Sequence, residues 1–273
     1  MSSQIAQSTP SLLLQDVVIN RGSRCVLPRL NLRLEPGHLL GVLGPNGSGK
    51  TSLLKACVGE LALAGGAIYL NNQRLDQHNA KQLSRLRAVL PQSGHLTFDL
   101  PVHELIQMGV YPFTEIAQSD VRRWTDQAIA MADVEPLMNK RFATLSGGQQ
   151  QRVQFARVML QIFAIKAVNG HAFLLLDEPT SNLDPKHQGL LIRAVREMVN
   201  SRQVGALVIL HDLNIAARWC DRVLLIAENQ RPVLGSPATV FTEKTLKTVY
   251  GIKMQVSQHP ARPNQLLILD NEH

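Results

Sequence analysis

Gly44-Pro45-Asn46-Gly47-Ser48-Gly49-Lys50-Thr51 is the stretch of this sequence whose residue types and spacing point to the most specific chemistry. It fits G-x-x-x-x-G-K-[ST] and falls between an apolar run, residues 38–43, and a helix-forming run, residues 51–61. Glycines let successive backbone N–H groups turn inward around phosphate oxygens, and the helix that follows adds the positive end of its dipole. In such a loop Lys50 reaches the outer phosphates of a nucleotide and the Thr51 hydroxyl ligates Mg²⁺. At average composition the pattern arises by chance in roughly 1% of chains this long, which sets aside an accidental glycine-rich turn.

Further along, Phe173-Leu174-Leu175-Leu176-Asp177-Glu178 reads as a buried strand delivering adjacent acids at its carboxyl end. Asp177 is assigned to the metal and Glu178 to the attacking water, as the general base. By itself an apolar run ending in Asp-Glu is an ordinary solvated strand end; behind a phosphate loop it gains meaning. Leu145-Ser146-Gly147-Gly148-Gln149 opens a polar, then amphipathic helix (residues 150–160), and offers a hydroxyl and bare backbone amides to an anion. Alone, that segment is equally a helix cap with a flexible entry.

The elements that position these residues alternate. Residues 12–20, 30–34 and 67–70 show strand patterning, with Asn71 and Asn72 as a hairpin turn. From about residue 94 to 161 the character turns helical, with Ser119 and Asp120 as N-cap and first turn of a helix whose face carries Val121, Trp124, Ala128 and Met131. Strands then return at 173–177, 206–210 and 222–226, with a helix at 188–200 between the first pair. This order predicts a parallel α/β core, an antiparallel β portion ahead of it and a helical segment inserted in its middle.

At this point the chain resembles the ATP-binding cassette family over nearly its whole length. Gly44 to Thr51 is similar to the family's Walker A motif, and residues 174–178 to Walker B. Residues 145–149 resemble its signature motif, and Ser181-Asn182-Leu183-Asp184 its D-loop. Gln92 stands where the Q-loop begins, and His211 resembles the switch histidine. The resemblance implies a P-loop NTPase (RecA-like) core in one domain, 1–273, with 1–92 and 162–273 as core and 93–161 as helical subdomain. It further implies head-to-tail homodimers in which Ser146, Gly147, Gly148 and Gln149 of one subunit close over nucleotide held by the other. Gln92 would touch Mg²⁺ or water, and His211 would hold the γ-phosphate. Where the family places an adenine-stacking aromatic, this sequence has Val18-Ile19-Asn20-Arg21-Gly22. Arg21 could lie flat on the base or be a solvated loop arginine, and adenine-versus-guanine selectivity stays open.

The resemblance leaves two classes of work, powering a membrane transporter or a soluble machine acting on DNA or ribosomes. Neither coiled-coil heptads nor a second cassette occurs, which favours the transporter and excludes nucleic acid as the expected partner. Asp99-Leu100-Pro101-Val102-His103-Glu104-Leu105, preceded by Phe98, and Met108-Gly109-Val110-Tyr111-Pro112 resemble a stretch of importers for ferric siderophores, haem and cobalamin, with Val110 in place of the usual arginine. Residues 145–161 are most similar to haem-importer ATPases. The implied partners are two transmembrane permease subunits and, indirectly, a periplasmic or surface substrate-binding protein. The implied location is peripheral, on the cytoplasmic face of the inner membrane.

Composition agrees without deciding. Apolar residues make up 45% and charged residues 18% of 273, a globular balance. The longest apolar runs, 173–176 and 206–210, fall far short of the roughly 20 residues that cross a bilayer, and the first residues show no secretory pattern. Cys25, Cys57 and Cys220 form no CxxC pair, as expected of a chain in a reducing cytosol, and the histidines form no HExxH pattern. A net charge of +7 suits polyanionic ligands, but no Lys/Arg block marks a nucleic-acid tail.

Overall fold

The computed structural model describes residues 9–22, 24–92, 99–228 and 230–270. Phe98, and the start of the helical segment within residues 93–98, lie outside the described residues.

The chain opens with β1 (Leu12–Arg21) and β2 (Arg24–Leu34), continues through β3 (Leu39–Leu43) and α1 (Lys50–Cys57), and returns as β4 (Gly65–Leu70) and β5 (Gln73–Arg74). These form an antiparallel sheet in the order β2-β1-β4-β5, with β3 left to the other sheet. Strict alternation along β1 would turn its later apolar residues to solvent. A bulge at Asp16, with φ 51°, resets the parity, so that Leu12, Leu14, Val17 and Ile19 are all buried. The bulge is pinned from β2: Asn31 Oδ1 accepts the Asp16 N–H at 2.9 Å, and Asp16 Oδ1 accepts Arg29 Nε at 2.6 Å and Asn31 Nδ2 at 2.8 Å. Those hydrogen bonds hold the Asp16 carboxyl down at about 2. β2 begins earlier than its Leu alternation indicates, since Pro28 is tolerated on an edge strand. Asn71 and Asn72 both have positive φ, 52° and 66°, as a tight hairpin turn requires. α1 stops at Cys57 rather than running to residue 61, because Gly59, at φ 79°, turns the chain out of the helix.

After α2 (Ala80–Ser84) and β6 (Arg87–Leu90) come the helices α3 (Val102–Gln107), α4 (Gln118–Ala132) and α5 (Gly147–Asn169). α4 starts one residue before the expected cap: Ala117 is its N-cap, and Asp120 sits in its first turn. The core resumes with β7 (Ala172–Leu176), α6 (Pro185–Asn200), β8 (Val204–Ile209), α7 (Leu213–Trp219), β9 (Arg222–Leu225) and β10 (Val233–Gly235). α8 (Pro237–Val240), α9 (Glu243–Tyr250) and a closing hairpin, β11 (Met254–His259) with β12 (Arg262–Asp270), complete the chain.

The larger sheet has the order β10-β9-β3-β8-β7-β6, parallel except for β10. Its strands are apolar on both faces because both are covered. Leu40, Val42, Phe173, Leu175, Leu207 and Ile209 face the core shared with α1 and the antiparallel sheet. Their alternates Leu39, Leu43, Leu174, Leu176, Ala206 and Val208 face the core built with the helices. α5 is the spine of that second core, and its stretch from Val153 to Ile165 is largely buried. It passes residue 161 without a break, so one rod joins the helical segment to the sheet.

Candidate active site

β3, β8, β7 and β6 are neighbours, and all point their carboxyl ends to the same edge. A crevice outside the carboxyl ends of parallel strands is where open α/β sheets hold ligands. β3 runs into the loop Gly44 to Lys50; β7 delivers Asp177 and Glu178; His211 lies just beyond β8; Gln92 lies just beyond β6. A cavity of about 910 Å³ collects Asn46, Gly47, Gly49, Lys50 and Thr51 with Gln92, Glu178 and His211.

The loop is held in a shape that only its sequence permits. At Gly44 φ is 148°, and a Cβ would stand 1.9 Å from the carbonyl oxygen of Ile226, at the end of β9. Tyr250, half-buried on α9, supports the same point, its hydroxyl hydrogen-bonded to the Gly44 backbone and pushed up to about 12 by burial. Lys50 is 5% exposed, and its Nζ donates to the carbonyls of Gly44 at 2.8 Å and Pro45 at 2.9 Å. Burial lowers its pKa, opposed by the charges of Glu178 and Asp177. An ammonium so placed is held rigidly at the loop's centre, with acids across from it.

Asp177 is 3% exposed, and its Oδ1 finds no hydrogen-bond partner. Burial first, then the charge of Glu178, raises its carboxyl to about 6, against a hydrogen bond with the Thr51 side chain and the charge of Lys50. A buried carboxylate oxygen without a partner beside a threonine hydroxyl is a donor set suited to a hard divalent cation. Glu178 sits in the left-handed region, at φ 49°, a conformation that costs energy for a non-glycine residue. It is gripped from both sides: Gln92 Nε2 donates to its Oε2 at 2.8 Å, and His211 Nε2 meets its Oε1 at 2.6 Å.

Ser146, Gly147, Gly148 and Gln149 are elsewhere. They line a second recess, of about 570 Å³, which shares no described lining residue with the first. Ser146 and Gln149 cap α5 reciprocally: Ser146 Oγ accepts the Gln149 N–H at 3.4 Å, and Gln149 Oε1 accepts the Ser146 N–H at 3.1 Å. Gly148 lies so close to the D-loop-like segment that a Cβ would stand 2.6 Å from Asn182 O. Thus the residues of the sequence reading fall into two groups on one chain. Arg21 does line the first cavity, together with Arg24 and Val26, which sequence reasoning did not single out. Nor did it find Tyr250, or Arg152 and His187, which line the second recess.

The family model described as ABC transporter matches residues 27–181. A hemin import ATP-binding protein, HmuV, of Bordetella parapertussis is 46% identical over 259 residues, covering 95% of this chain and 99% of that protein. One bearing the same name from Pseudomonas aeruginosa is 41% identical over 257 residues, 94% of this chain and 99% of that one. Among solved structures, a dimeric bacterial ABC transporter cassette superposes with TM-score 0.71 at 22% identity, covering 83% of this chain and 98% of that one. With its phosphate loop, strand-end acids and separate serine-glycine recess, the chain belongs to the ABC transporter family.

Proposed function

We propose that this chain is the ATPase subunit of a haem importer, hydrolysing MgATP as one of a pair of cassettes beneath two permease subunits on the cytoplasmic face of the cell membrane. The observation that carries the ATPase reading is the convergence of Lys50, Glu178, Gln92 and His211 on one cavity. In this reading the backbone of Gly44, Pro45, Asn46, Gly47, Ser48 and Gly49 wraps the phosphates, and Lys50 turns from its carbonyl partners to the outer phosphate oxygens. Glu178 accepts a proton from water as the water oxygen bonds to the γ-phosphorus; the bond to the bridging oxygen breaks, and ADP leaves with phosphate. His211 and Gln92, already on Glu178, orient that carboxylate and contact the γ-phosphate and water. Thr51 and Asp177, with Gln92 at the margin, would hold Mg²⁺, whose charge offsets that on the phosphate oxygens.

The second recess completes the site of a partner subunit, Ser146, Gly147, Gly148 and Gln149 closing over its nucleotide. Closure and reopening then drive the permease, and a periplasmic or surface substrate-binding protein is reached only through it. Among the described residues no helix is long and apolar enough to cross a membrane, as befits a subunit that relies on separate permease chains. Haem as cargo rests on the hemin-import names of relatives at 41% to 46% identity. Residues 99–112 support a second reading, a ferric-siderophore or cobalamin importer.

One experiment tests both levels. The Glu178→Gln protein should bind ATP yet lose turnover by roughly 10²-fold or more, the worth of a positioned base. Cells carrying only that form should fail to grow on haem as sole iron source while growing on free iron. Wild-type turnover would remove the base assignment. Loss of growth on a siderophore, or of cobalamin-dependent growth, in place of haem would keep the ATPase and replace the cargo.

A further inference from the structure

Away from both recesses, α6, α7 and the closing hairpin enclose a groove of about 410 Å³. Its rim brings together Arg193 of α6, Arg218 of α7 and Arg262 of β12, with His259 of β11 beside them. Like charges converge only at a cost, and here they press on one another: the charges of Arg262 and Arg193 add to desolvation in lowering the pKa of Arg218. Among the described residues none of these arginines has an ion-pair partner, and Arg262 makes only a 3.4 Å contact to Gln265 Oε1. Asp212 is the only carboxylate among the described lining residues, and one of its oxygens is engaged as the cap of α7: Oδ1 accepts the N–H groups of Asn214 at 2.7 Å and Ile215 at 3.0 Å.

The donors are also positioned. Arg218 lies over the Trp219 ring, 4.6 Å from its centroid, which limits where its guanidinium can go. His259 Nδ1 accepts the Ala261 N–H at 3.1 Å, which leaves the ring's other nitrogen as the one that carries a proton and can donate. The hairpin that brings Arg262 is stitched to α7, Asn214 exchanging hydrogen bonds with the Ile268 backbone at 3.0 and 2.8 Å. The floor is apolar, from Ile192, Ile215 and Leu267.

We infer that this groove binds a small molecule carrying at least two acid groups, phosphate or carboxylate, held by Arg193, Arg218, Arg262 and His259. Arginine forks match such oxygens two at a time, and several on one ligand would relieve the repulsion among the guanidinium groups. The site is distinct from the nucleotide cavity, although α6 is capped by Asp184 and α7 starts just after His211, so an occupant would rest on helices rooted in both recesses.

Trp219 makes the test local. The chain has 2 tryptophans, and Trp124→Phe leaves Trp219 as the only one. Fluorescence of that full-length protein is titrated with inorganic pyrophosphate, and separately with citrate, each with and without Lys50→Ala. A saturable change that survives Lys50→Ala and weakens roughly tenfold to a hundredfold in Arg262→Gln is expected, that factor being the worth of a hydrogen bond between charged groups. Tighter binding of pyrophosphate would mark a phosphate source for the ligand, and tighter binding of citrate a carboxylate source. Because Arg262→Gln alters hairpin contacts, Arg193→Gln, on a separate element, serves as the second variant and should weaken binding likewise. A response lost with Lys50→Ala and kept in both arginine variants would assign it to the nucleotide cavity and overturn the inference. So would no saturable response to either anion.

Discussion

Asp177 carries a conflict within the folded chain: burial and the charge of Glu178 push its carboxyl up to about 6, while Thr51 and Lys50 pull the other way. A carboxyl that titrates higher folded than unfolded retains its proton longer in the folded state. Stability therefore falls as pH rises from about 4 to about 6, and stays lower above that window. Asp177→Asn removes the ionisation. Without added nucleotide it should be more stable than the parent at about pH 7.5, by up to about 3 kcal/mol, and indistinguishable near pH 3.5. Urea unfolding at both pH values checks this, and equal stability at the higher pH would show that the carboxylate is already compensated. Lys50, Asp177 and Glu178 were readable from the sequence because their neighbours along the chain define their surroundings. Arg24, Val26 and Tyr250 were not, since each reaches the loop from an element far away in sequence.

Elements read from sequence held where one periodicity dominated. The buried strands β3, β7, β8 and β9 are apolar on both faces and could hardly be anything else. Ends moved where backbone chemistry overruled pattern, as at Gly59 closing α1 and Pro28 lying inside an edge strand. The closing hairpin and α9 were not singled out in the sequence, although Leu246, Val249 and Tyr250 stand at helical spacing, and α9 supplies Tyr250 to the phosphate loop. The junction of β3, its loop and β9 also makes a sharp prediction. Gly44→Ala must move either the loop or the Ile226 carbonyl, so it should cost at least about 2 kcal/mol in urea unfolding. It should weaken ATP binding as well. Unchanged stability would mean that β9 yields easily at that point.

At the scale of the whole molecule, the separation of the recesses matters most. Ser146→Arg places a bulky cation in the second recess and removes the α5 cap, worth about 1 kcal/mol. On a Glu178→Gln background it should abolish an ATP-dependent dimer in size-exclusion chromatography while leaving ATP binding by the single chain intact. Persistence of that dimer would contradict the paired reading. The same separation has a genetic consequence. In the proposed pair, each nucleotide draws the phosphate loop from one chain and the serine-glycine segment from the other. A chain damaged only at Lys50 and a chain damaged only at Ser146 therefore place both defects in one site when they meet, and leave the other whole. The two alleles should complement each other in one cell, as two alleles damaged in the same recess never would.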